Sequence, residues 1–147
     1  IGAAKEGLRL YCETVVGKAS GDVTKLAGDV STVERVAAAK NAIDEMEALL
    51  YRNFDNMMAL ARSGASTAIE DRALYRYQAS LVIEKSMGII DSLFSSAGGS
   101  SVFTDSQIQQ RFLDIHTARA HVANNPTTFS RNLGGISLGA ENGDFFI

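Results

Sequence analysis

The sequence predicts an all-α protein: an antiparallel four-helix bundle followed by an extended C-terminal tail. Three observations carry that prediction. Long stretches repeat apolar residues at steps of three and four, the spacing that lines one face of a helix. Three of these stretches open on a Ser/Thr-x-x-Glu/Gln pattern, the capping box that satisfies orphan amides of a first helical turn. The links between them are short, as neighbouring antiparallel helices require.

The first helix is expected over 2–18. A line of mostly small side chains, Ala3, Gly7, Leu10, Thr14 and Gly17, suits close approach by another helix. Ala19 to Val30 reads as a polar connector containing glycine. Ser31 with Glu34 opens the second helix, 31–63, where Val36, Ala39, Ile43, Met46, Leu50, Phe54, Met57 and Ala61 hold the rhythm. Gly64 follows as the residue that ends it. Thr67 with Glu70 opens the third, 67–96, which is apolar on two sides: Ala79, Ile83, Met87, Ile90 and Phe94 on one, Leu74, Tyr77 and Leu81 on the other. Such a helix is buried between neighbours or at a subunit interface. Gly98-Gly99 breaks it. Thr104 with Gln107 opens the fourth, 105–124, with Ile108, Phe112, Ile115 and Val122 as its buried stripe and Asn124-Asn125-Pro126 as its stop. From Thr127 onward four glycines and no helical period predict an extended tail. Its closing Phe145-Phe146-Ile147 is expected to pack on the bundle or on a neighbouring subunit. The bundle is thus assigned to 1–126 and the tail to 127–147.

Composition narrows the function. A length of 147 residues suffices for one domain with a real core, and a hydrophobic content of 46% is that of an ordinary globular chain. A formal net charge of −3 lacks the basic footprint of a nucleic-acid binder. No apolar run approaches the roughly 20 residues that span a bilayer. The lone Cys12 cannot form an internal disulfide, which points to a reducing, cytoplasmic setting. The chain opens at Ile1 in what reads as mid-helix, so it is expected to be the C-terminal piece of a longer protein.

The fourth helix carries both histidines. Beside its apolar stripe run Arg111, Asp114, Ala118 and His121, a second and polar line. His116 and His121 are five residues apart, about 140° around a helix at about 100° per residue, so they cannot chelate one metal together. With no cysteine cluster nearby, a metal site is not expected. His121, placed in the last turn, is the first candidate for chemistry; His116 is the second.

The run Leu93-Phe94-Ser95-Ser96-Ala97-Gly98-Gly99-Ser100-Ser101-Val102-Phe103, followed by Gln109, Asp114, His116 and Ala118-Arg119-Ala120-His121, resembles the C-terminal domain of flavin-dependent monooxygenases built on the acyl-CoA dehydrogenase fold. The similarity is to the oxygenase components of two-component aromatic hydroxylases, of the 4-hydroxyphenylacetate 3-hydroxylase kind. Leu113 and Gln107 depart from the family, which commonly has arginine and proline there.

The resemblance implies N-terminal helical and β-barrel domains that this sequence lacks. It also implies a reduced flavin, FMN or FAD, delivered by a separate reductase. Oxygen would pass from a flavin C4a-hydroperoxide to a phenol-like aromatic substrate, within a homotetramer. His121 would be the catalytic histidine, taking the phenol proton, with His116 in reserve. Gly98, Gly99 and Ser100 would approach the flavin phosphates, and Arg111 with Asp114 would form a polar network. Two other readings share the composition. An acyl-CoA dehydrogenase needs a carboxylate base, and Val122-Ala123-Asn124-Asn125-Pro126 supplies none. A non-catalytic helical interaction module leaves the Leu93–His121 run without a purpose.

Overall fold

A computed structural model describes residues 1–19 and 23–147, and all regular structure in them is helical. The elements are α1 (Gly2–Lys18), α2 (Val23–Gly28), α3 (Val30–Arg62), α4 (Ile69–Ser96), α5 (Gln107–Arg119) and α6 (Pro126–Ser137), with short 3-10 turns at Gly99–Val102 and Val122–Asn124.

Side-chain pairs give the helix directions. Between α3 and α4, Arg35 meets Ser92, Met46 meets Ser86 and Asn53 meets Gln78, one number rising as the other falls. Between α4 and α5 the pairs are Glu84 with Arg119, Asp91 with His116 and Phe94 with Phe112. Lys5 with Glu47 and Tyr11 with Arg35 set α1 against α3 in the same way. The four long helices therefore run up, down, up and down, the expected antiparallel bundle. The core between them holds Ala4, Tyr11, Ile43, Met46, Ile90, Leu93, Ile108 and Ile115.

Gly7 shows what the small-residue line on α1 does. A Cβ there would come within 2.5 Å of Ile90 Cδ1, so the glycine lets α1 lie directly against α4. The two apolar sides of α4 also have their reason, because this helix packs against α1, α3, α5 and α6 together.

Three expectations need correction. First, the capping boxes are not the caps. Asp29 caps α3, accepting from the Thr32 N–H at 3.3 Å and the Thr32 hydroxyl at 2.8 Å, two residues ahead of Ser31. Ala68 and Ser106 begin α4 and α5 without a side-chain cap bond. Second, the connector after α1 holds the short helix α2; Ser20 to Asp22 lie outside the described residues.

Third, the stretch after Pro126 is not an extended tail but first a helix, Pro126–Ser137. Asn125 and Pro126 open it: Asn125 Oδ1 accepts the Thr127 N–H at 3.2 Å, and Pro126 fills the first turn, where a missing N–H costs nothing. Gly134 and Gly135 sit inside this helix despite their poor propensity. Tertiary packing outweighs it, for Pro126 and Phe129 are buried and the guanidinium of Arg76 on α4 lies 3.8 Å from the Phe129 ring centroid. Past Gly139 the chain folds into a turn held by Asn132, Asn142 and Asp144. Phe145 and Phe146 then stand exposed edge to face, while Ile147 is half-buried.

Candidate functional site

The helix bearing the histidines stops earlier than its periodicity suggests. α5 ends at Arg119, where the Ala118 carbonyl accepts both the His121 N–H at 3.2 Å and Asn124 Nδ2 at 2.8 Å, contacts that close the helix end. His121 therefore lies beyond the helix, in extended backbone at φ −72° and ψ 134°. It does not continue the Arg111–Asp114 line, and it does not sit in a last helical turn.

The structure treats the two histidines differently. His116 belongs to the α4–α5 seam. Its Nε2 is 2.7 Å from Asp91 Oδ1, and its ring packs on Phe112 at 4.2 Å between centroids. Phe112 in turn stacks on Phe94 at 4.6 Å. His121 is exposed, and its Nδ1 accepts the Ala123 N–H at 3.1 Å. A backbone amide can only donate, so Nδ1 carries the lone pair and the proton of the neutral ring resides on Nε2, which points away from that bond. His121 thus offers an N–H outward, whereas the proton of His116 is held by a carboxylate.

Arg111 and Asp114 pair at 3.2 Å, and Gln110 donates to Asp114 at 3.0 Å. They lie toward α1, on the side of the helix facing Gly7, and not with His121. The glycine turn stands apart as well. Gly98 has φ +90°, a conformation that favours glycine. A Cβ at Gly98 would strike Lys18 Nζ, whose ammonium donates to the Ala97 carbonyl. A side chain at Gly99 would meet nothing within 4 Å, and Ser100 is exposed. From this turn to His121 the chain traverses all of α5, about 20 Å at 1.5 Å per residue. The structure therefore does not bring Gly98, Gly99 and Ser100 together with His121.

Two participants escaped the sequence reading. Asp91 falls on the same α4 stripe as Met87 and Phe94, a spacing that hinted at its facing α5. Lys18 came to the glycine turn only through the parallel lie of α1 and α4, which carries no local signal. Among the described residues no three His, Cys, Asp or Glu side chains converge as metal ligands would. No helix among them is long and apolar enough to cross a membrane.

Comparison with known proteins gives a consistent set of matches. A family model described as acyl-CoA dehydrogenase, C-terminal domain, matches residues 1–126. The oxygenase subunit HsaA, a flavin-dependent monooxygenase of Rhodococcus jostii (strain RHA1), is 29% identical over 92 residues, 63% of this chain and 24% of that protein. The crystal structure of the HsaA monooxygenase from M. tuberculosis superposes with a TM-score of 0.89 at 27% identity, over 99% of this chain and 37% of that one. That of 3-HSA hydroxylase from Rhodococcus sp. RHA1 gives 0.86 at 24%, over the same shares, a likeness of fold. The chain thus spans about a quarter of the curated relative and little more than a third of these structures.

Proposed function

The chain belongs to the acyl-CoA dehydrogenase C-terminal domain family, and on that premise we propose that it is the helical C-terminal domain of a reduced-flavin-dependent monooxygenase acting on a phenol-like aromatic substrate. Likeness to flavin-dependent oxygenases in both sequence and structure supports the reaction class. The observation that carries the site is the outward Nε2–H of His121, fixed by the bond from Ala123 to its other nitrogen. Bound reduced flavin would supply two electrons to dioxygen, one atom of which goes to the ring and the other to water.

The chain's own residues divide the remaining work. His121 engages the phenol oxygen. His116, tied to Asp91 and packed on Phe112, keeps α5 in register on α4. Arg111 and Asp114 brace α5 beside α1. Lys18, Gly98, Gly99 and Ser100 would hold a flavin phosphate; with the length of α5 between them and His121, they would serve a different part of the flavin, or a different flavin in the assembly. A separate reductase supplies the reduced flavin, FMN or FAD, and the protein works as a cytoplasmic homotetramer. Tyr51, Phe54 and Met58 on α3, with Phe145 and Phe146 at the tail, are exposed apolar side chains suited to burial there.

The test uses the full-length protein. Mixed with chemically reduced flavin, oxygen and a phenol, it should form hydroxylated product in step with flavin oxidation. Bleaching of oxidised flavin by an acyl-CoA under anaerobic conditions, with no hydroxylation, would assign it to the dehydrogenases instead.

A further inference from the structure

We infer that the cavity between α3, α4 and the C-terminal turn is a binding site for a small organic monocarboxylate with an apolar body, its charge seated on Arg72 and Arg76. The site goes beyond the proposed reaction and does not depend on it.

Helical spacing builds the cavity. On α3, Leu50, Phe54 and Met57 fall at steps of four and three; on α4, Arg72, Tyr75, Arg76 and Ala79 repeat the same steps. Each helix therefore turns one face to the shared space. Phe146 and Ile147 close it from the end of the chain. It holds about 270 Å³, and at about 30 Å³ per water molecule that is room for roughly nine non-hydrogen atoms. A single ring or a six-carbon chain bearing one carboxylate has that size.

The charge of the lining is one-sided. Two guanidiniums line the cavity and no acidic side chain does. Among the described residues the Arg72 side chain has no hydrogen-bond or ion-pair partner, and the carboxylate that closes the sequence at Ile147 pairs with neither arginine. Arg76 is held in place: its Nη2 donates to the Ala123 carbonyl at 3.0 Å, and its guanidinium lies 3.8 Å from the Phe129 ring centroid. Those contacts use one of its five N–H donors and one face of the fork. Tyr75 accepts the Asn56 amide N–H at 3.1 Å, which leaves its own O–H to donate. Asn53 is already engaged, donating to Gln78 at 2.8 Å and accepting from Arg52 at 3.0 Å. The uncommitted side-chain groups are thus donors, which suits a carboxylate and not an ammonium, and an arginine fork matches both carboxylate oxygens. Leu50, Phe54, Met57 and Phe146 supply the apolar remainder, so the ligand carries its charge at one end only. Because Arg76 also holds Ala123, a carboxylate on it fixes the guanidinium from a further side and steadies the turn Val122–Asn124.

Saturation-transfer NMR on the full-length protein, with benzoate and hexanoate as probes, tests the site. At least one should receive magnetisation from the protein, whereas benzamide, which keeps the size of benzoate without its charge, should receive far less. Arg72→Gln, at an exposed position, should weaken binding about tenfold or more through loss of a charge-assisted pair, and Arg72→Lys should recover part of it. Ala79→Leu fills the cavity without touching its charge and should abolish binding. Amide exchange across Val122–Asn124 should slow when the probe binds the parent. Failure of both carboxylates to bind, equal binding of benzamide, or a probe that binds either Arg72→Gln or Ala79→Leu as well as the parent overturns the site. Binding without slower exchange at Val122–Asn124 places the carboxylate away from Arg76 and overturns it as well. If binding follows the variants while the full-length protein yields no hydroxylated product, the site stands and the monooxygenase reading alone is removed.

Discussion

The α4–α5 seam and the corner between α5 and α6 each present one histidine, five residues apart in sequence, and they are built on different principles. In the seam, regular helix geometry does the work. Glu84 with Arg119, Asp91 with His116 and Phe94 with Phe112 recur at helical intervals, and the histidine is one rung among them. At the corner the helix is interrupted, and specific side chains (Arg76, Asn124, Asn125) hold an irregular turn against three helices. A histidine in a repeating ladder is satisfied by its neighbours. A histidine on a braced turn keeps one nitrogen to offer.

The contrast can be broken most severely at Phe129. Truncating this buried ring in Phe129→Ala should cost about 3–5 kcal/mol, as such truncations do in well-packed cores. The loss is read as a lower denaturation midpoint. Amide exchange should rise more across Val122–Ser137 than across α5, and a uniform rise would erase the distinction between the regions. Next in size is Asn125→Ala, which removes the cap of α6. A loss of about 0.5–2 kcal/mol is expected, with exchange again quickened at the corner. Smaller still is Asp91→Asn in the seam. The pair it breaks is partly exposed, so at most about 1 kcal/mol should go, and hydroxylation should persist.

The smallest effect lies outside both regions and calibrates them. Hydrogen bonds from Thr32 hold the Asp29 carboxyl below its usual pKa. The stability it adds is present above the ordinary carboxylate pKa and lost as pH falls through the depressed one. Asp29→Asn should therefore flatten the acid limb of the stability profile slightly, with the small difference from the parent present above the ordinary carboxylate pKa and vanishing at the acid end. Thermal melts between pH 2 and pH 7 would show it.

Much of the seam was legible in the sequence, and little of the corner. The three-four rhythm through Val36–Ala61 and Ile83–Phe94 marked α3 and α4, and the two apolar sides of α4 foretold its central place. Periodicity reports burial, however, not where a helix ends. Val122 continued the rhythm of Ile108, Phe112 and Ile115 in sequence but is 76% exposed, because α5 ends at Arg119, where His121 and Asn124 both turn back on the Ala118 carbonyl. Asn125-Pro126 was read as a stop when the same two residues are a start, since asparagine caps and proline fits the first turn. The glycines of α6 spoke against a helix that the Asn125 cap, the burial of Pro126 and the packing of Phe129 on Arg76 support. The stripe of Met87, Asp91 and Phe94 hinted that Asp91 faces α5 without naming His116 as its partner, and the approach of Lys18 to Gly98 is a tertiary fact that no local pattern encodes.

The most direct test of this division measures hydroxylated product against hydrogen peroxide in the full-length protein for His121→Asn and His116→Asn. With His121→Asn, flavin oxidation should continue while product falls and peroxide rises. With His116→Asn, product per flavin should stay close to that of the parent even if the protein is less stable. The reverse outcome, full hydroxylation by His121→Asn and uncoupling by His116→Asn, would place the chemistry in the seam and contradict the account.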